Sequence, residues 1–230
     1  MRGSWRANDT LTLTDTERLH HLLHVLRIKK GDSLRIFNPT LGEWYATVVT
    51  ISRNHLALDI GEKPVALPVI PQRQIHLACA LLKRDAFEMV VEKATELGVA
   101  TITPILSEYA QRRTLNEDRL RAIMVNSVEQ CGGFEVPTLN TPVSLNNFLQ
   151  KFDTNHYVYA ALENERDITT AFMPTGNNIK ILIGPEGGWS DSEVRILKTL
   201  TCVSPISLGC NILRAETAAI VACGIASIIR

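Results

Sequence analysis

Two glycine-bearing stretches hold the residues best suited to chemistry. The first is Gly184-Pro185-Glu186-Gly187-Gly188-Trp189. Adjacent glycines reach backbone conformations closed to other residues and let a ligand approach the main chain. Ser190 and Glu193 follow at the spacing of a capping box, so a helix starts there and offers free N–H groups. A plain strand-to-helix turn needs neither the paired glycines nor the fixed Pro185-Glu186, which favours a binding loop. The second stretch is Leu208-Gly209-Cys210-Asn211-Ile212-Leu213-Arg214-Ala215-Glu216-Thr217-Ala218. Leu208, Ile212 and Leu213 could wall an adenine while backbone groups read its edge. Arg214 falls in or just before the first turn of the next helix, where the dipole disfavours a cation. A charge kept there points to a partner or substrate; a surface pair with Glu216 is the alternative.

These loops need a scaffold that brings strand ends side by side. From Gln74 onward strand-like and helix-like runs alternate. Strands are expected at 75–82, 101–106, 157–162, 179–183 and 204–208. Helices are expected at 85–97, 117–131, 144–151, 190–200 and 215–229. In the first helix Phe87, Val90, Val91, Ala94 and Leu97 make one apolar face, and Gly98 stops it. The alternation predicts an α/β fold with a mainly parallel sheet covered on both faces. Such sheets bind ligands at the carboxyl ends of their strands, where both loops leave. The dinucleotide fingerprint G-x-G-x-x-G is absent.

The first 63 residues differ in texture. Thr14 and Glu17 are spaced as a capping box, and Leu19, Leu22, Leu23 and Leu26 follow at helical spacing. Strand-like runs at 33–37, 43–51 and 55–60 are separated by Asn38-Pro39 and Arg53-Asn54. Pro64, Pro68 and Pro71 read as a stiff linker. Two domains follow from this, a small β-rich one over 1–70 and an α/β one over 71–230.

Lys plus Arg and Asp plus Glu each number 24, which excludes nucleic-acid binding by bulk charge but leaves a local patch open. Residues 1–70 carry nine basic and seven acidic side chains, a mild excess. The five cysteines (79, 131, 202, 210, 223) form no C-x-x-C pair, which fits reduced thiols in the cytoplasm. His20, His21 and His24 cluster, but no cysteine or carboxylate set completes a metal site, so no metal is expected. No signal peptide opens the chain; Met1-Arg2-Gly3-Ser4 reads as a leader or a shortened N-terminus. The apolar run 217–229 is too short to span a bilayer, which needs about 20 residues.

Gly-Pro-Glu-Gly-Gly at 184–188, followed by Leu-Gly-x-x-Ile-Leu-Arg-x-Glu-Thr-Ala at 208–218, resembles the RsmE family of ribosomal RNA methyltransferases. Lys93-Ala94-Thr95-Glu96-Leu97-Gly98-Val99 is similar to that family's first long helix. His20-His21-Leu22, Val25-Leu26-Arg27 and Gly31-Asp32 are similar to its PUA-like domain. The resemblance implies a SPOUT fold with a C-terminal trefoil knot, which sequence physics alone does not predict. It also implies a homodimer, S-adenosylmethionine as cofactor, and methylation of N3 of a uridine in 16S ribosomal RNA, within the small ribosomal subunit. The cofactor would lie against Leu162, Ile183, Gly184, Pro185, Glu186, Gly187, Leu208, Gly209, Asn211, Ile212 and Leu213. The chain departs from the family at Ser107-Glu108-Tyr109-Ala110, where Glu-Arg-Ser is usual. It departs again at Gly133, where an Arg is usual after Glu129-Gln130-Cys131-Gly132. Asn38-Pro39 replaces an Asp-Gly turn, and the opening strand is shortened. The changes at Tyr109 and Gly133 remove contacts to phosphate or substrate.

Methyl transfer of this kind needs few side chains: alignment of two centres and loss of a weakly acidic proton. Arg214 is the candidate for stabilising charge on the uracil carbonyls. Glu186 is the candidate for orienting base or cofactor, with indirect support of the residues that line the site as its alternative. Arg27, Lys83 and Arg84 could meet phosphates. No covalent cysteine is required, and the cysteines read as core fillers. Two other readings stand beside this one: a SPOUT enzyme acting on a ribose 2′-hydroxyl or a tRNA base, and a non-catalytic RNA-binding or ribosome-assembly factor.

Overall fold

The computed structural model describes residues 5–38, 40–67, 73–110, 114–152, 158–162 and 172–228. The chain divides into two compact units, Met1–Ile70 and Pro71–Arg230.

The first unit runs β1 (Thr10–Leu13), α1 (Thr16–His20), a π-helical turn (His21–Val25), β2 (Ser33–Asn38), β3 (Gly42–Ile51) and β4 (Leu56–Ala66). The strands form an antiparallel sheet in the order β1-β4-β3-β2. Alternation puts Trp44, Ala46 and Val48 of β3 with Leu56, Leu58 and Ile60 of β4 on one buried face, closed by Trp5 and Leu19. Several expectations are corrected here. β1 is an additional strand, paired with β4 from Thr10↔Asp59 to Leu13↔Leu56. The helix opens at Thr16, one residue after Asp15, whose Oδ1 accepts from the Arg18 N–H at 3.0 Å, so Thr14 is not the cap. The Glu17 side chain lies outside the described residues. The helix does not continue regularly to Leu26. The Leu26 N–H closes a wider turn on the His21 carbonyl at 3.0 Å, which rotates Leu26 away from the leucine face to 56% exposure. Pro64 is no linker residue but lies inside β4, opposite Trp44. Pro68 and Pro71 lie outside the described residues.

The second unit runs β5 (Gln74–Ala80), α2 (Arg84–Glu96), β6 (Thr101–Leu106), α3 (Glu117–Cys131), β7 (Thr138–Leu139), β8 (Val143–Ser144) and α4 (Leu145–Leu149). It continues with β9 (Val158–Ala161), β10 (Asn178–Ile183), α5 (Asp191–Thr199), β11 (Val203–Ile206) and α6 (Ala215–Ile228). All its strand pairs are parallel, in the order β11-β9-β10-β5-β6-β7, with β8 also on β6. Ile75, Leu77 and Cys79 of β5 and Ile179, Ile181 and Ile183 of β10 share one core with α2, α3 and α6. Ala78, Leu182, Val158 and Ala160 point to the other face, against α4 and α5. The result is three layers, as the apolar strands demand.

This order positions the site. The chain builds outward from β5 through β6 to β7, then returns on the other side through β9 and β10. The direction reverses between β5 and β10, the place where open parallel sheets bind ligands. β11 is an edge strand, yet α6 packs on β5, β10 and α2 at the centre. The segment between them therefore crosses the carboxyl ends of the sheet. The buried stripe of α6 is Ala215, Ala218, Ala219, Ala222, Cys223 and Ala226, small enough for the helix to lie close on the strands.

Candidate active site

The loop after β10 is tied to its neighbours on both sides. On the β9 side the Trp189 indole N–H donates to the Ala161 carbonyl at 3.4 Å. The same indole covers Gly184, where an added Cβ would lie 2.9 Å from Nε1. On the β5 side the Glu186 carboxylate accepts from the Lys83 backbone N–H at 2.8 Å. Lys83 is the N-cap of α2 and has no side-chain cap of its own, so Glu186 satisfies an orphan donor and faces the positive helix end. Further across, Glu193 reaches β6. One of its oxygens accepts from the Glu108 N–H at 2.9 Å, and the other from the Ser190 N–H at 3.0 Å. Ser190 and Glu193 form the predicted capping box, and Ser192 adds a bond to the Glu108 carboxylate at 3.1 Å. Within the loop Gly188 has φ +75°, a left-handed turn position closed by its N–H on the Pro185 carbonyl at 2.9 Å. That conformational demand falls on Gly188. Gly187 is exposed, and a Cβ there would meet nothing nearer than the Tyr109 Cβ at 3.8 Å.

The second loop is held far more lightly. Ser207 and Gly209 close a small turn on themselves, with Gly209 at φ +131°. Leu208 and Leu213 pack half-buried against the core, while Gly209, Cys210 and Asn211 are exposed and Ile212 is 71% exposed. The Arg214 carbonyl accepts from the Ala218 N–H at 2.8 Å, which makes Arg214 the N-cap of α6. Its side chain is exposed. Among the described residues it makes no ion pair, and none with Glu216.

The remaining candidates divide. Ile183 and Leu162 end β10 and follow β9, but their side chains are core, so only their backbone faces the crevice. Pro185 is buried too. Lys83 is exposed and free of ion pairs among the described residues. Arg84 is engaged by Glu88 at 2.9 Å, and Glu88 also takes a forked pair of bonds from Arg119 at 2.6 and 2.7 Å. Arg119 first, and then Arg84, hold the Glu88 carboxyl down at about 2. Arg27 belongs to the other unit, where it turns the chain with φ +53°, a conformation unusual for arginine. Burial pushes the Cys79 thiol up strongly, reinforced by Cys223 and by the charges of Glu186 and Glu216. Cys223 is likewise pushed up to about 12 by burial. These are inert thiols. The Glu186 bond to the Lys83 backbone and the packing of α6 on β5 and β10 bring the loop after β10 and α6 together at β5.

Sequence reasoning missed three features. The Glu193–Glu108 bond spans 85 positions and has no local signature. Trp189 was seen only as part of the loop. In the turn Ser107–Ala110, Tyr109 stands 51% exposed beside Gly187, and the buried Ser107 hydroxyl has no partner among the described residues. Among the described residues no group of His, Cys, Asp and Glu could hold a metal ion, and no helix is long and apolar enough to cross a membrane.

Residues 69–227 match the model of an RNA methyltransferase domain, and residues 13–61 that of an RNA methyltransferase PUA domain. A ribosomal RNA small subunit methyltransferase E of Rickettsia conorii is 32% identical over 94% of this chain and 88% of its own. A protein of the same name from Synechocystis is 31% identical over 93% of this chain and 71% of its own. Among solved structures, a Legionella pneumophila protein in complex with the bound cofactor SAM superposes with a TM-score of 0.85 at 30% identity, covering 97% of this chain and 93% of that one. The chain belongs to the ribosomal RNA small subunit methyltransferase E family of RNA methyltransferases.

Proposed function

We propose that the protein transfers a methyl group from S-adenosylmethionine to N3 of a uridine in 16S ribosomal RNA. The cofactor supplies an activated methyl group; the chain's own residues bind, align and stabilise charge. The residues present suit that cofactor. The open side of Gly187 admits close backbone approach, the exposed main chain of 209–212 offers groups to read an adenine edge, and Leu208 and Leu213 give an apolar wall. Glu186 is assigned a positioning role rather than a chemical one, because one of its carboxylate oxygens is engaged by the Lys83 backbone. One observation carries the catalytic reading: Arg214 keeps an exposed guanidinium, unpaired among the described residues, at a helix N-terminus that disfavours it. Such a cation suits an anion that arrives during reaction, here uracil losing its N3 proton.

The finer features belong to the same proposal. The crossing of 207–214 from the edge strand to the central α6 supports a SPOUT-type arrangement with a C-terminal trefoil knot. Residues 1–70 serve as a PUA-like RNA-binding domain, and residues 71–230 carry the chemistry. On α6, Ile220, Val221 and Ile225 are only half-buried and Ile228 is 78% exposed, which supports a homodimer through this helix. The protein works in the cytoplasm on the small ribosomal subunit. Incubation of 16S RNA, free and assembled, with methyl-labelled cofactor tests the reading. Nucleoside mass spectrometry is expected to find 3-methyluridine; a ribose 2′-O-methyl product, or none, would overturn it.

A further inference from the structure

The turn Ser107–Ala110 leaves the carboxyl end of β6, next to the reversal point between β5 and β10. It is a firm turn. The Ala110 N–H returns to the Ser107 carbonyl at 3.2 Å, and the Glu108 N–H is gripped by the buried Glu193 at 2.9 Å. A loop so anchored could have buried its aromatic residue. Instead Tyr109 stands 51% exposed, its Cβ the nearest heavy atom to the open side of Gly187. One buried hydroxyl of the same turn, Ser107 Oγ, has no partner among the described residues, an expense in stability that scaffolding turns rarely bear.

We infer that Tyr109 is a stacking platform for a base of the RNA substrate, and so a specificity-determining residue; this rests on the function proposed above. Every base has a π-face, and a rigidly mounted, half-exposed tyrosine binds one at little entropic cost. The cofactor's adenine is the competing occupant, and the cofactor arm of the test separates the two. The adenine's apolar wall begins at Leu208, after β11 at one edge of the sheet, whereas Tyr109 follows β6 toward the other edge. Arg214 starts α6, which lies over β5 and β10, between those extremes. A base held between Arg214 and Tyr109 would sit over Gly187, where a methyl group must be delivered.

The test compares Tyr109→Leu and Tyr109→Phe in the full chain. Filter binding of labelled 16S RNA across a salt series, cofactor calorimetry and methyl transfer are measured together. Tyr109→Leu is expected to weaken RNA binding about tenfold with an unchanged salt slope, because a stacked base is lost and no phosphate contact is. Cofactor affinity should stay within twofold, and Tyr109→Phe should bind RNA as the wild type does. Unchanged RNA affinity in Tyr109→Leu overturns the inference, as does a Phe variant as weak as Leu. A parallel fall in cofactor affinity would assign the ring to the adenine. A wild-type chain that binds RNA but transfers no methyl group would overturn the function instead, while the binding arm still decides Tyr109.

Discussion

The two loops at the carboxyl end of the sheet have opposite construction. The loop after β10 and the first turn of α5 are gripped from three neighbouring strands, through Trp189 to β9, Glu186 to the segment after β5, and Glu193 to the segment after β6. The loop after β11 makes one small turn with itself and leaves Asn211, Ile212 and Arg214 exposed. Bonds of the first kind stabilise the native state whatever is bound. Exposure of the second kind costs stability, since an apolar residue meets water and a cation meets the wrong helix end. A preformed floor and a lightly held partner are what a site needs if one loop must define geometry and the other must accept a ligand.

Substitutions can break this contrast. The largest effect is expected at Gly187. Gly187→Val puts a branched side chain into the open side of the firm loop, with room among the protein's own atoms. Calorimetry should detect no cofactor binding, while the denaturation curve stays near wild type. Full binding in a folded variant would remove this loop from the site.

Arg214→Ala is next. The methyl-transfer rate should fall roughly a hundredfold, the scale of losing one aimed donor, at nearly unchanged cofactor affinity. Stability should hold or rise by a few tenths of a kcal/mol, because a cation leaves a helix N-terminus. A rate within a few-fold of wild type would make Arg214 an ordinary surface residue.

Glu193→Gln should behave in the opposite sense. One carboxylate oxygen becomes an NH₂ facing a backbone N–H, so a buried bond is replaced by two opposed donors. Urea denaturation should show a loss of roughly 2 kcal/mol, with weaker cofactor binding as a consequence of the loosened loop. Equal stability of Glu193→Gln and Arg214→Ala would erase the distinction between the loops.

The smallest effect is expected away from both loops, at the Glu88 tie between α2 and α3. The Glu88 carboxyl is depressed to about 2 in the folded chain by Arg119 and Arg84. Its contribution is therefore complete above the unfolded value of about 4.3 and is lost as pH falls from there toward 2. Half-exposed arginines limit it to about 1 kcal/mol. Glu88→Gln should lower the melting temperature by a few degrees at pH 7 and hardly at all at pH 2. A difference that persists at pH 2 would point to packing rather than charge.

What the sequence made legible was local. The boundaries of β6 and α3 coincide with the periodic runs at 101–106 and 117–131, because alternation and an Asn116 cap specify them within the segment. The Ser190–Glu193 box was readable for the same reason. Both glycine loops were placed at strand ends by their flanking runs alone. Pro64 misled, because proline usually leaves a strand. Here the β1 ladder ends at Asp59, so among the described residues no strand pairs the outer edge of β4 near Pro64, and a residue without an N–H is tolerated there. The π-helical turn after α1 was invisible, since leucine spacing assumes a regular helix. The clasps made by Glu186 and Glu193 join residues 103 and 85 positions apart, and nothing nearby announces them.

The small-residue stripe of α6 has a consequence for how the protein is made. Ala218, Ala219, Ala222, Cys223 and Ala226 cover β5 and β10, strands that lie at the middle of the sheet. During synthesis those strands emerge long before their cover does. The nascent chain must carry Leu77, Cys79, Ile179 and Ile181 covered only in part, by α2 and α3, until the helix has left the ribosome, a state prone to association. Folding of this unit therefore has a late, vectorial last step. Truncation before α6 should give an aggregating chain rather than a weaker enzyme, however little of the length is removed.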